Sequence, residues 1–232
     1  MQKKKFGIII FPGTWSDKDC YYAINNILQH EARYIWHKET NIDDIDCLVL
    51  PGGFSYGDYL RPGAIARFSP VMKEIISFAK KGKPIIGICN GFQILCEAKL
   101  LPGILLPNDV LEFRCTTTYL KVQNSNSIFT NECNENDILN IPISHGEGNY
   151  FANEDTIKDL EENKRILFKY SSVSGNITKS ANPNGSANNI AGIINNQGNV
   201  LGMMPHPERS CEKSLGSEDG NLIFKSIMNK II

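Results

Sequence analysis

Four short apolar runs, at residues 6–11, 34–36, 47–50 and 84–88, do not alternate polar with apolar positions. A strand with one wet face alternates, whereas a strand buried on both faces does not. The runs therefore predict a mostly parallel central sheet flanked by helices. Between the first two, residues 19–29 carry Tyr21, Tyr22, Ile24, Ile27 and Leu28 at helical spacing, which completes a strand–helix–strand unit. Residues 70–81 place Val71, Ile75, Ile76 and Ala79 on one face, with Gly82 as the stop. Residues 90–99 turn Phe92, Ile94, Leu95 and Ala98 inward in the same way. The fold class is α/β.

From Leu100 to about Ala187 the periodicity breaks down into short β-like pieces at 119–122, 141–144 and 167–170, which predict an insertion or an antiparallel extension of the sheet. Residues 189–194 and 200–204 flank Asn195-Asn196-Gln197-Gly198-Asn199, a hairpin signal. A last amphipathic helix is expected at 221–231. The Asn-rich stretches 124–140 and 176–199 read as permissive loops. With 232 residues, 41% of them hydrophobic, and no fixed-period repeat or clear linker, a single domain spanning 1–232 is expected.

Charge narrows the function classes. Lys and Arg number 24 against 25 Asp and Glu, a net charge of −1, so the basic excess of a nucleic-acid binder is missing. No apolar run approaches the roughly 20 residues that span a bilayer. The basic start at residues 1–5 precedes an apolar stretch too short for a secretory signal, so a cytoplasmic protein is expected. Seven cysteines at irregular spacing, without a Cys-x-x-Cys pair, predict neither a disulfide framework nor a metal site.

The chemistry concentrates in three segments. Gly87-Ile88-Cys89-Asn90-Gly91-Phe92-Gln93 puts Cys89 where a buried strand turns into a helix, the context of a nucleophile elbow. Unpaired N–H groups and the positive end of the helix dipole there would favour a thiolate. A buried, inert cysteine is the alternative reading. Pro205-His206-Pro207-Glu208 offers His206 as acid and base, and in an extended segment Glu208 would lie on the same side to orient it. Pro51-Gly52-Gly53-Phe54-Ser55-Tyr56-Gly57-Asp58 follows a buried strand, where ligand crevices form. Both phosphate-binding glycine motifs are absent from it, and an ordinary turn is its alternative.

These segments resemble class I, or triad-type, glutamine amidotransferases, whose nucleophile elbow is similar to the sequence around Cys89 and whose second signature is similar to that around His206. More narrowly, the chain resembles the family of glutaminase subunits of phosphoribosylformylglycinamidine synthases. That likeness rests on Phe11-Pro12-Gly13-Thr14, residues 51–64, His145-Gly146-Glu147-Gly148, Asn182-Pro183-Asn184-Gly185-Ser186 with Asn189-Ile190-Ala191-Gly192, and residues 203–209. It covers nearly the whole chain.

The resemblance implies a flavodoxin-like domain that hydrolyses L-glutamine through a thioester on Cys89. His206 would be the acid and base and Glu208 its orienting partner. Gly53 and Asn90 would donate N–H groups to the oxyanion, and Gln93, His145, Glu147 and Gly148 would border the substrate. It implies ammonia delivery to a large synthetase subunit in purine biosynthesis, with a small bridging subunit, and no cofactor on this chain. ATP and magnesium would bind the synthetase. Trp15-Ser16 departs from the Asn-Cys expected after Gly13-Thr14, and Gln123 replaces an expected acid.

Two rivals share these residues: a cysteine peptidase or γ-glutamyl hydrolase, and a non-catalytic subunit that keeps the fold. A further expectation concerns Gly52-Gly53. If that loop is free to reorient its peptides, the isolated chain is a poor glutaminase until a partner fixes it. Phe54, Tyr56 and Tyr59 beside it would be partner contacts or would pack on their own domain.

Overall fold

The computed structural model describes residues 3–230. Its first half runs β1 (Lys5–Ile10), α1 (Asp17–Tyr21), β2 (Glu31–Trp36), β3 (Cys47–Leu50), α2 (Val71–Lys80), β4 (Ile85–Ile88) and α3 (Asn90–Glu97). There follow β5 (Ile104–Leu106), β6 (Arg114–Val122), β7 (Ile138–His145), β8 (Asn149–Phe151), α4 (Glu154–Glu162) and β9 (Ile166–Ser171). The chain closes with β10 (Ile190–Ile194), β11 (Val200–Met203) and α5 (Gly220–Lys230).

Nine strands form one sheet in the order β2-β1-β3-β4-β11-β10-β9-β6-β7, while β5 and β8 pair separately. Pairing is parallel from β2 through β11 and antiparallel from there to β7. The parallel half has the flavodoxin-like order, with β11 in the fifth place. Every residue of β3, β4 and β11 is buried, as their unbroken apolar character requires. Because these strands are parallel, the loops leaving β1, β3, β4 and β11 share one edge of the sheet, and that edge carries the site.

Several details differ from expectation. β2 is an edge strand on which Ile35 is buried while Tyr34 and Trp36 are exposed; the three-residue run was too short to show its alternation. The helix expected at 19–29 is α1 continued by a wider turn over Tyr22–Ile27, with Leu28 N donating to Ala23 O across five residues. α4 had no sequence expectation, because Ile157 and Leu160 form a very thin apolar stripe among six charged residues; its N-cap, Asn153 accepting from Thr156 N at 2.9 Å, was the available signal. β6 and β7 are longer than the pieces expected there, and β7 alternates, burying Leu139, Ile141, Ile143 and His145. The end expected for the last helix, at Ile231, lies outside the described residues.

The asparagines are not merely permissive. Asn199, buried, donates to the carbonyls of Ala79 (2.8 Å) and Lys83 (2.9 Å) at the end of α2. Asn189 donates to Tyr170 O (3.1 Å) and Thr178 O (2.8 Å). Their side chains satisfy backbone groups where regular ladders stop.

Candidate active site

Between β4 and α3, Cys89 takes φ 52° and ψ −108°, a conformation costly for a side-chain-bearing residue. The flanking glycines act differently from turn residues: neither has a left-handed φ. A methyl on Gly91 would run into the Leu50 carbonyl, and one on Gly87 into Leu95 and the backbone of Gly91. They let the first turn of α3 lie directly on β3 and β4, and the strain falls on the cysteine. Cys89 N donates to Met203 O (2.8 Å), while Cys89 O accepts from Phe92 N (2.9 Å) and Gln93 N (3.2 Å). The N–H of Asn90, first residue of α3, is one of the donors a helix start leaves without an intrahelical acceptor.

The chain leaving β11 brings His206 to this elbow. His206 N donates to Pro142 O at 2.8 Å, and His206 Nδ1 lies 2.6 Å from Glu208 Oε1. The contact matches expectation but its backbone does not: Pro207–Arg209 form a tight helical turn, so a fold-back rather than an extended strand brings the carboxylate to the ring. Both side chains are 2% exposed. Burial opposes an imidazolium at His206, yet the Glu208 carboxylate, aided by Cys89, outweighs it and raises the imidazole pKa. With Nδ1–H given to Glu208, Nε2 is a buried nitrogen without an oxygen or nitrogen partner among the described residues, on a residue that lines the cavity. Gly52 seats the pair, since a methyl there would lie 2.7 Å from His206 Cε1 and 3.3 Å from Cys89 Cβ.

Arg209 was not singled out by sequence, although it directly follows the His–Glu motif. Its Nε donates to Asp19 Oδ2 (3.0 Å), its Nη2 to Ser16 Oγ (2.8 Å), and its Nε stands 3.9 Å from Glu208 Oε1. The departure at Trp15-Ser16 thus has a structural meaning. Ser16 is a buried acceptor for Arg209, and Trp15 is exposed at the cavity wall.

The loop after β3 is held firmly. Trp15 N and Ser16 N both donate to Gly52 O at 3.0 Å, and Phe54 N donates to Gly13 O at 2.9 Å. These bonds frame Thr14 and Gly53 as an antiparallel pair whose own N–H groups point away from each other. In a trans peptide the N–H opposes the carbonyl, so the Gly53 N–H is turned away from the Trp15–Ser16 backbone. Gly53 also lines the cavity that holds Cys89. Reversing that peptide would break both bonds to Gly52 O, so the freedom expected of Gly52-Gly53 is not found. Of the adjacent aromatics, Phe54 and Tyr59 are exposed, whereas Tyr56 ties its hydroxyl to His37 Nδ1 and Ser69 Oγ, each at 2.9 Å.

Cys89, Gln93, His145, Glu147 and His206 line one cavity of about 260 Å³, below the roughly 300–1,000 Å³ of drug-sized sites. Gln93 Nε2 donates to Glu147 O at 2.7 Å, fixing the turn between β7 and β8. Asn90 is buried beside Cys89 rather than on the wall, and its side chain accepts from Ser55 N (3.2 Å) and donates to Gln93 Oε1 (2.9 Å). Gly148 also departs from expectation. It stands behind His145, whose ring occupies the space a methyl would need, and so supports the wall without forming it. His145 Nε2 is 3.0 Å from Asn184 Nδ2, a contact to a distant, fully buried asparagine that no local pattern announces.

Residues 3–220 match the CobB/CobQ-like glutamine amidotransferase domain. The chain is 51% identical over 227 residues to phosphoribosylformylglycinamidine synthase subunit PurQ of Salinibacter ruber, covering 98% of this chain and 97% of the relative. The protein of the same name from Moorella thermoacetica is 55% identical over 225 residues, covering 97% and 95%. Among solved structures, PurLQS from Thermotoga maritima superposes with a TM-score of 0.88 at 39% identity over the whole of both chains. Another glutamine amidotransferase from Thermotoga maritima, at 16% identity, covers 99% of this chain and 92% of its own with a TM-score of 0.56, and shares the fold.

Burial, and then the neighbouring His206, lowers the His145 pKa from 6.5 to about 3. The unfolded chain takes up a proton that the folded site refuses. This contribution is therefore complete above pH 6.5 and is lost as pH falls toward about 3. Chemical denaturation across that window should show the parent losing stability more steeply than His145→Gln, by at most about 1.4 kcal/mol per pH unit. Parallel profiles would show that His145 is not held neutral.

Proposed function

Since the chain belongs to the CobB/CobQ-like glutamine amidotransferase family, we propose that it is the glutaminase subunit of a phosphoribosylformylglycinamidine synthase, with residues 1–232 forming one amidotransferase domain. The observation that carries the reading is the strained Cys89 elbow, placed with the buried His206–Glu208 pair on the wall of a cavity sized for an amino acid.

Cys89 Sγ attacks the side-chain amide carbon of L-glutamine as a thiolate. The charge that develops on the amide oxygen is met by N–H groups of Gly53 and Asn90; removing one such donor typically costs roughly 10²–10³ in rate. His206 gives its proton to the leaving nitrogen, ammonia departs, and a γ-glutamyl thioester remains on Cys89. Water then attacks the thioester with His206 as base, and glutamate leaves. Glu208 orients the ring and stabilises its charged form without exchanging protons itself. Arg209 keeps the Glu208 carboxylate and the Ser16 loop in place. Gln93 and Glu147 border the glutamine, and His145, held by Asn184, supports the wall between them.

Ammonia passes to a large synthetase subunit that converts formylglycinamide ribonucleotide to formylglycinamidine ribonucleotide, with a small third subunit bridging the two. ATP and magnesium belong to the synthetase; this chain carries neither phosphate-binding glycine motif, and its cavity is small for a nucleotide. Among the described residues no helix is long and apolar enough to cross a membrane, and a cytoplasmic location is part of the proposal. Exposed Phe54, on the cavity wall, and exposed Tyr59, farther along the same loop, are offered as partner contacts.

Cys89→Ala, reconstituted with the synthetase subunits, should lose glutamine-dependent synthesis and keep the ammonia-dependent reaction near the parent rate. Loss of both reactions in a folded, assembled complex would contradict this division of labour. Glu208→Gln should lower kcat by less than Cys89→Ala does and change the glutamine KM only modestly. Parent-level turnover by Glu208→Gln would remove Glu208 from the catalytic set.

A further inference from the structure

Asp58 reaches the cavity from a loop whose backbone is held in an unfavourable conformation. Tyr56, Gly57 and Asp58 have φ of 55°, 68° and 54°, and Leu60 has 70°. Such runs persist only where the surroundings over-determine them. Here Ser55 N donates to Asn90 Oδ1, the Tyr56 hydroxyl is tied to His37 and Ser69, and Asn90 Nδ2 donates to Asp58 Oδ1 at 3.3 Å. The outcome is a carboxylate fastened to the residue next to Cys89.

Glu147 lines the same cavity from the turn after β7. Neither acid forms an ion pair with a basic side chain among the described residues. Burial, and then the charge of Glu147, raises the Asp58 pKa to about 6, as expected of a partly buried acid near a second acid. The cavity is also lined by Cys89 and by His206, which is 2% exposed. Two acids that lack a cation therefore share one small space with Cys89 and His206. A ligand that meets both the acids and the Cys89 nucleophile proposed above carries an ammonium at one end and an electrophilic carbonyl carbon at the other. L-glutamine has this form, its α-ammonium being four bonds from the amide carbon.

We propose that Asp58, held by Asn90 and sharing the cavity with Glu147, binds the free α-ammonium of glutamine and so selects an unmodified amino acid over one acylated at its α-nitrogen. The proposal rests on the glutaminase reading and adds a specificity-determining residue to it. Asn90 then has two tasks from one position: its main-chain N–H faces the oxyanion and its side chain positions the group that reads the other end of the substrate.

The test compares parent, Asp58→Asn and Asp58→Glu in the presence of the synthetase subunits, with L-glutamine and N-acetyl-L-glutamine as substrates. Asn keeps an oxygen for Asn90 and tolerates the left-handed backbone, so Asp58→Asn tests charge with little change of shape. Its KM for L-glutamine should rise roughly 10- to 100-fold with kcat little changed. Its preference for L-glutamine over the N-acetyl compound should shrink by a similar factor, and Asp58→Glu should recover part of both. Alkylation of Cys89 by iodoacetamide should proceed at the parent rate, since the elbow is untouched. An unchanged KM, or a lower kcat with slowed alkylation and unchanged substrate preference, would overturn the role of Asp58. A parent complex that hydrolyses no glutamine would overturn the glutaminase reading itself, and this proposal with it.

Discussion

The backbone of Cys89 is the constraint on which the rest of the site depends. A residue at φ 52° between a buried strand and a helix is tenable only if both elements are clamped against their neighbours. The clamp is made of close approaches: Gly91 against the Leu50 carbonyl, Gly87 against α3, and the Cys89 N–H on Met203 O. The last of these joins the end of β4 to the end of β11, from which the chain passes directly to His206. Cys89 and His206 are thus positioned by adjacent parallel strands, and the relation between them has little freedom to drift.

Around that clamp the charges are arranged without much solvent. His206 and Glu208 are both buried, so their pairing is strong and its loss would leave a carboxylate stranded. Arg209 shares its guanidinium between Asp19 and Ser16 while standing near Glu208, which ties the Glu208 carboxylate to the loop after β1. His145 is kept neutral by burial and held by Asn184, so it adds no second positive charge beside His206. The Gly52 carbonyl is held by two N–H groups from that same loop. One short segment, Gly13–Ser16, therefore organises both the Gly52-Gly53 side and the Glu208 side of the cavity.

What sequence made legible follows the range of the interactions involved. β3, β4 and the β10–β11 hairpin were readable because burial on both faces and a turn-rich loop leave local signatures. Cys89, His206 and Glu208 were readable because each sits in a short, distinctive motif, and the structure brings them together. Glu208 reaches His206 through a tight turn that the Pro-His-Pro-Glu spelling did not disclose. Asn184 and Arg209 act through partners 39 and 193 residues away, and Asp58 through Asn90, 32 residues away. Such contacts exist only after the sheet assembles. The hold on Gly52-Gly53 was not legible for the same reason: two glycines are flexible in isolation, but the bonds of Trp15 and Ser16 to Gly52 O, and of Phe54 to Gly13, come from another strand's loop.

The most direct test of this account is rapid quenching of the protein with L-glutamine, followed by intact and peptide mass spectrometry under acid, where a thioester survives. The account predicts a transient γ-glutamyl adduct on the peptide containing Cys89, formed before glutamate appears and absent from Cys89→Ala. Glutamine turnover with no adduct at any time, or an adduct on another residue, would contradict it.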